Sequence, residues 1–316
     1  MSPNSWICLH PSNATQTTVS LNNRGLAYGD GFFTTMGVID GQILWLDYHQ
    51  QRLVSHAAAL QLQLDSFSLL TVLKTHAKQI QQGMLKLIVM RAEQEVRGYG
   101  YTPNTGGSAC EIWLKSLPMA ITTAQSLPLA NNRFIPLQPA ASAICLSSQI
   151  ACLPPTLAGL KSLNRLDNVL ASGELQAIKA KTLADTIKPS IAEGLLRDIS
   201  GHWVEGTMSN VFYQLVEAPV AKSSNRPHSQ NNSNSNYLTQ GQWYTPSMAQ
   251  SGVAGVMRQV IIDTLSTSNN PVIIRSLQDE DLPHLSQLFF CNALRGIMPM
   301  SSLRLLSGEV VSFEAS

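Results

Sequence analysis

Charge is what this chain has least of: charged side chains make up 13% of its 316 residues, about half the roughly 25% of an ordinary soluble domain. The 21 basic and 20 acidic residues leave a net charge of +1 and form no block of one sign. This excludes the electrostatic footprint of a nucleic-acid binder or of a protein held on an anionic membrane. Any anionic ligand must therefore be held by a local site. Long hydrophobic runs are also missing: the most apolar stretches, "LKLIVM" (85 to 90) and "SQLFF" (286 to 290), fall far short of the ~20 residues of a membrane span. The five cysteines (Cys8, Cys110, Cys145, Cys152, Cys291) are odd in number and show no C-x-x-C spacing, and no secretory signal is read ahead of them. They read as reduced thiols of a cytoplasmic protein. An apolar fraction of 44% beside so little charge suggests much covered surface, which points to an oligomer.

What is present reads as two domains, in line with a prior of roughly 150 residues each. An α+β domain over 1–118 opens with a hairpin, "FFTTMGVID", Gly41, "QILWL", whose D-G turn is flanked by β-branched and aromatic residues. A helix follows in "DYHQQRLVSHAAALQL", with Leu53, Ala57 and Leu60 at helical spacing and Asp47 as its N-cap. "LKLIVMRA" and "ACEIWLKSL" are two further strands. Residues 119–140, rich in Pro, Asn, Ala and Gln, read as a linker.

The second domain, 141–316, begins with a strand in "SAICLSS". A helix from about 163 to 179 follows, with Leu166, Val169, Leu170 and Ile178 on one side. Two strands in "GLLRDISGHWVEGTMSNVFYQL" and a glycine-led helix in "GVAGVMRQVIIDTLS" complete the pattern. The Asn/Ser-rich tract at 221–236 has nothing to bury and reads as a surface loop.

Three features carry chemistry. Lys161, in "LAGLKSLNRLDNVLAS", stands among Leu157, Leu160 and Leu163 with Arg165 one turn away, where desolvation and a nearby cation lower an amine's pKa. Taken alone, the commoner reading is a lysine snorkelling from a helix start. "GVAGVMRQVI" puts glycines before a helix whose free N–H groups would face an anion. In "HWVEGTMSN", Glu205 ends a strand, where a carboxylate either caps a turn or answers a buried cation. A lysine for a Schiff base, a phosphate cup and a carboxylate for a ring nitrogen are the parts that hold pyridoxal 5'-phosphate.

Together, "NRGLAYGDGFFTTMGVIDGQI" (23 to 43), "HQQRL" (49 to 53), "LAGLKSLNRLDNVLA" (157 to 171), "VEGTMSNVF" (204 to 212), "YTPSMAQSGVAGVMRQ" (244 to 259) and "FFCNALRGIMPM" (289 to 300) resemble the class IV aminotransferase family. "GDGFFTT", the K-x-L-N-R-L run and the "GVxGxMR" cup are most similar to its aminodeoxychorismate lyases. The resemblance implies a mixed α/β, two-domain fold-type IV enzyme with pyridoxal phosphate in the cleft between domains, acting as a homodimer. It implies release of pyruvate from 4-amino-4-deoxychorismate to leave 4-aminobenzoate, a folate-pathway reaction, and makes the synthase of that substrate the candidate macromolecular partner. The alternatives are a D-amino acid or branched-chain aminotransferase, or a non-catalytic binding protein.

By position in that family, Lys161 matches the Schiff-base lysine, Glu205 the partner of the pyridine nitrogen and Arg52 the phosphate arginine. Val256 and Met257 match the backbone donors to phosphate, with Ala293 nearby where relatives often carry a hydroxyl. Arg165 matches a group near the ring's phenolic oxygen, and Thr35 a threonine near the catalytic lysine. Tyr28 matches an aromatic of the pocket wall, and Arg97, or else Arg91, a binder of substrate carboxylate.

Overall fold

In the computed structural model, the described residues are 6–10, 18–102, 109–121, 125–128, 134–182, 191–216, 238 and 241–313. The tract at 221–236 lies outside them. They gather into two compact units, one of Met1–Thr122, Leu153–Leu166 and Val253–Val260, the other of Thr123–Cys152, Asp167–Gly252 and Ile261–Ser316. This departs from the division read in the sequence, because the Lys161 segment and the start of the glycine-led helix belong with the first unit. Backbone pairing is the reason: Gly159 bridges Val253, and Ser162 bridges Phe32.

The first unit is a five-stranded antiparallel sheet backed by helices. Its elements are β1 (Trp6–His10), α1 (Arg24–Tyr28), β2 (Gly31–Ile39), β3 (Gln42–Ile43), α2 (Leu46–Ala59), α3 (Ser66–Ile80), β4 (Gly83–Arg91) and β5 (Cys110–Pro118), in sheet order β1-β5-β4-β2-β3. The β2–β3 hairpin closes through Asp40 and Gly41, both at positive φ (51° and 69°), as its D-G turn demands. Helix α2 starts at Leu46 behind Trp45, which adopts the left-handed conformation, so Asp47 is a first-turn residue and not the N-cap expected of it.

Period-2 alternation sorts β2 into two faces. Phe32, Met36 and Val38 pack into one core with Leu85, Leu87 and Val89 of β4, Leu53 and Ala57 of α2, and Leu73 and Ala77 of α3. Phe33 and Thr35 therefore share the opposite face.

The second unit holds β6 (Gln125–Pro128), β7 (Phe134–Leu137), β8 (Ala141–Ile150), α4 (Leu166–Thr182), β9 (Ile191–Asp198), β10 (Trp203–Gly206), β11 (Asn210–Leu215), β12 (Tyr244–Thr245), α5 (Val256–Leu265), β13 (Ile273–Ile274), β14 (Leu285–Asn292), β15 (Gly296–Arg304) and β16 (Val310–Ser312), with α4 and α5 each beginning in the first unit. Two short strands thus occupy the stretch read as a linker, and "GLLRDISGHWVEGTMSNVFYQL" makes three strands where two were expected. Because β14 pairs with both β11 and β15, the strands β8, β9, β10, β11, β14 and β15 close into a ring. Its inner residues, among them Cys145, Leu195, Val211, Phe290 and Met298, form one core.

Helix α4 packs by Ala171 and Leu175, with Ile178 partly buried. Leu166, Val169 and Leu170, expected on the same side as Ile178, are instead 60–78% exposed. They form an apolar stripe at i, i+3 and i+4. Among the described residues no helix is long and apolar enough to cross a membrane.

Candidate active site

Lys161 lies in an irregular segment, yet its backbone is pinned on both sides. Its carbonyl accepts from Phe33 N at 3.0 Å, and its own N–H donates to His56 Nε2 at 2.9 Å. The side chain reaches over the strand face opposite the core, with Nζ 4.7 Å from the Phe33 ring centroid. Lys86 of β4 stands 5.3 Å from the same ring. Thr35, cross-strand from Lys86, is on that face of β2. Two ammonium groups at one aromatic ring make this a locally positive surface, which suits an anionic ligand. Lys86 was not anticipated; the alternation of "GMLKLIVMR" would have placed it opposite the core.

A candidate anion site is built from segments of the same unit. Ala254 N donates to Gly159 O at 2.9 Å, and α5 starts two residues later. The N–H groups of Val256 and Met257 belong to its first turn, where a helix offers no internal acceptor. Arg52 of α2 joins them, donating from Nη2 to Ala254 O at 2.7 Å. Arg52 is 7% exposed, and among the described residues no carboxylate pairs with it. Burial alone lowers its pKa to about 10. A buried cation with no carboxylate partner among the described residues, beside the first-turn N–H groups of α5, is an arrangement suited to an anion.

Thr34, the first of the paired threonines, faces the core. Its Oγ1 lies 2.9 Å from His49 Nδ1 and 3.5 Å from Arg52 Nη1, so it steadies the arginine. Thr34, His49 and His56 carry no motif of their own in the sequence, although helical spacing puts both histidines within about one turn of Arg52 on α2. Arg165 turns back over the lysine segment, where its Nη2 donates to Leu160 O and its Nε to Ser162 O at 3.4 Å.

Glu205, in the second unit, is 3% exposed, and Asn168 Nδ2 donates to its Oε1 at 3.3 Å. A β-carbon at Gly252, whose φ is +76°, would come within 3.1 Å of Glu205 Oε2, so glycine there leaves this carboxylate its room. The turn after Glu205 is fixed by a second buried carboxylate. Glu193 accepts from Thr207 N at 3.1 Å, Thr207 Oγ1 at 2.6 Å and Ser209 Oγ at 2.7 Å. Ala293, half-buried in the same unit, sits in a turn that Asn292 Oδ1 caps through Leu294 N and Arg295 N.

The residues expected to meet substrate divide. Tyr28 is 39% exposed and meets the Tyr99 ring edge-on at 5.1 Å, and Arg97 is exposed in the same loop. Arg91 is corrected. Only 2% exposed, it donates to Asp30 Oδ2 at 2.9 Å, Leu60 O at 2.6 Å and Gln61 O at 3.3 Å, and stacks on Tyr101. All three of its nitrogens donate to the fold, at the start of β2 and the end of α2, so Arg91 is a buried structural residue and Arg97 is the exposed candidate for a substrate carboxylate.

A family model for amino-transferase class IV matches residues 31–303. The chain belongs to the class IV aminotransferase family. It is 24% identical over 288 residues to the aminodeoxychorismate lyase of Vibrio harveyi, covering 91% of this chain and 88% of that protein. It is 27% identical over 298 residues to a putative branched-chain-amino-acid aminotransferase of Methanocaldococcus jannaschii, covering 93% and 84%. Among solved structures, the 4-amino-4-deoxychorismate lyase of Pseudomonas aeruginosa superposes with a TM-score of 0.68 at 28% identity, covering 94% and 91%.

Enzymes of the class IV aminotransferase family depend on pyridoxal phosphate. The residues here fit that group: Arg52 and the first turn of α5 supply what a buried phosphate lacks in charge and donors, and Lys161 supplies an amine within the same unit.

Acid should weaken this class IV aminotransferase chain in a defined window. Burial first, then Arg52, Arg165 and Lys161, lower the His56 pKa from 6.5 to about 3; burial and Arg52 hold His49 well below its ordinary value. Between these values the unfolded imidazoles take up protons that the folded ones refuse, so stability falls as pH drops below about 6.5. The expected slope is about 1.4 kcal/mol per pH unit for each histidine. Urea unfolding of the cofactor-free protein at pH 7 and pH 5 checks this, and equal stabilities at the two values would contradict it.

Proposed function

We propose that the chain is a pyridoxal-phosphate-dependent lyase that converts 4-amino-4-deoxychorismate to 4-aminobenzoate and pyruvate. The observation that carries the reading is the shared strand face on which the Lys161 amine, Thr35 and the second cation Lys86 surround Phe33. A lyase acting on a dianion needs a base, a proton carrier and cations, whereas amino transfer alone needs no threonine there. The resemblance to two aminodeoxychorismate lyases over more than nine-tenths of the chain supports the same choice.

Arg52 and the N–H groups of Val256 and Met257 would bind the cofactor phosphate, with Ala293 contributing no hydroxyl. Glu205, held by Asn168, would be the countercharge of the pyridine nitrogen. When bound, the cofactor supplies a protonated ring that accepts the electron pair of a carbanion. Lys161 Nζ takes the proton from ring carbon 4 of the substrate. Loss of that proton and cleavage of the bond from carbon 3 to the enolpyruvyl oxygen leave an aromatic ring. Thr35, or a water that it holds, returns a proton to the methylene carbon as the enol becomes pyruvate. Arg165 keeps the lysine segment in place through Leu160 O and Ser162 O, and Arg97 and Lys86 meet the substrate carboxylates.

Formation of 4-aminobenzoate, assayed beside amino transfer from D- or branched-chain amino acids to 2-oxoglutarate, tests the reading. Robust transfer with no 4-aminobenzoate would replace it by an aminotransferase, the reading that the Methanocaldococcus relative favours. Thr35→Ala should leave cofactor binding unchanged and slow 4-aminobenzoate formation by about 10²-fold. A wild-type rate would remove Thr35 from the mechanism.

A homodimer is part of the proposal. The exposed stripe of Leu166, Val169 and Leu170 is apolar surface of the kind that a second copy covers. Sedimentation should give twice the mass of one chain, and a monomer at micromolar concentration would contradict it.

A further inference from the structure

We propose that His56 is a positioning residue for Lys161, whose backbone N–H it holds through Nε2 so that the amine stands over the Phe33 ring. The inference rests on Lys161 being the cofactor lysine.

A residue in irregular backbone has no ladder or helix partner for its amide, and a buried amide must find one elsewhere. For Lys161 the carbonyl is taken by Phe33 N, and the amide hydrogen bond at 2.9 Å goes to an imidazole 105 residues away in sequence. Nε2 must therefore be the bare, accepting nitrogen. The other nitrogen gives the same answer independently. His56 Nδ1 lies 3.2 Å from Ser55 Oγ, and that hydroxyl donates to Arg52 O at 3.2 Å, so toward the ring Ser55 can only accept. The hydrogen is on Nδ1, and one tautomer satisfies both partners.

The ring is also fixed sterically. It is 5% exposed and meets the Phe32 ring edge-on, with centroids 5.3 Å apart. Burial and the facing cations Arg52, Arg165 and Lys161 disfavour a second proton, so the acceptor persists through the working pH range. Because Arg52 and His56 are four residues apart, one face of α2 presents both the arginine of the anion site and the anchor of the lysine. The separation between amine and anion is thereby set by a single rigid helix, which is the requirement for a preorganised site.

Nitrogen-15 NMR of the full-length, cofactor-free protein tests the tautomer directly. His56 should show a protonated Nδ1 and a bare Nε2, unchanged from pH 8 to pH 5. A protonated Nε2, or a titration near 6.5, would overturn the proposal. Two variants test the consequence. His56→Phe keeps the ring and removes the acceptor, and should raise hydrogen exchange at the Lys161 amide by about tenfold or more. It should also shift the pH at which the visible absorption of the loaded protein titrates and lower kcat more than it raises KM. His56→Gln, whose Oε1 can accept the amide, should restore all three toward wild type. Equal behaviour of the two variants would overturn the positioning role, and if His56→Phe does not fold, the NMR result on the wild type still decides. Borohydride reduction of the loaded protein followed by peptide mapping separates the two failures: label on another lysine would sink the reading of Lys161 while leaving the tautomer result intact.

Discussion

If the proposed function holds, Lys161→Ala is expected to abolish the covalent capture of pyridoxal phosphate and to reduce lyase turnover by at least about 10³-fold. The size follows from the two tasks assigned to one amine. As a base it is expected to contribute about 10²–10⁴-fold, and as the point of attachment it orients the cofactor. Fold stability should change little, because the contacts that pin this residue are made by its backbone, through His56 Nε2 and Phe33 N, and alanine keeps both. A native unfolding midpoint with no borohydride-labelled peptide and no turnover is the expected combination. Retained labelling at another lysine would mean that the lysine was misassigned.

Arg52→Leu should separate stability from function. Arg52 is buried, among the described residues no carboxylate pairs with it, and desolvation pulls its pKa down to about 10, so holding the charge there carries a burial penalty. Removing that charge costs the hydrogen bonds to Ala254 O and Thr34 Oγ1 but also removes the burial penalty. The cofactor-free variant is therefore expected to be at least as stable as wild type. Cofactor affinity should move the other way: loss of a buried, hydrogen-bonded charge from a phosphate site costs about 2–5 kcal/mol, or roughly 30-fold to a few thousandfold in Kd. Equilibrium titration with pyridoxal phosphate and thermal unfolding without it measure the two terms. A variant that binds cofactor as tightly as wild type would show that the anion site lies elsewhere.

What is legible in the sequence is what local rules govern. The D-G turn fixed the β2–β3 hairpin, and alternation and apolar runs marked β4, β5 and β8. A glycine-led apolar pattern marked α5. Lys161, Arg52 and the α5 start could be named because they stand in ordered motifs. What could not be read depends on tertiary partners. Leu166, Val169 and Leu170 look like a buried helix face, but Ala171 and Leu175 are the residues that pack with Ile144 and Leu146 of β8, Leu196 of β9 and Val204 of β10. Arg91 looked like a free cation only because Asp30, which takes its Nε, sits 61 residues earlier. His56 reads as one more helical histidine until the chain folds Lys161 against it.

Pyruvate release from the pyridoxal-phosphate-loaded protein given 4-amino-4-deoxychorismate, followed beside the Lys161→Ala variant, tests the proposed lyase activity most directly. Pyruvate and 4-aminobenzoate are expected in equal amounts from the wild type and neither from the variant. No pyruvate from a wild-type protein whose Lys161 demonstrably carries the cofactor would contradict the lyase assignment.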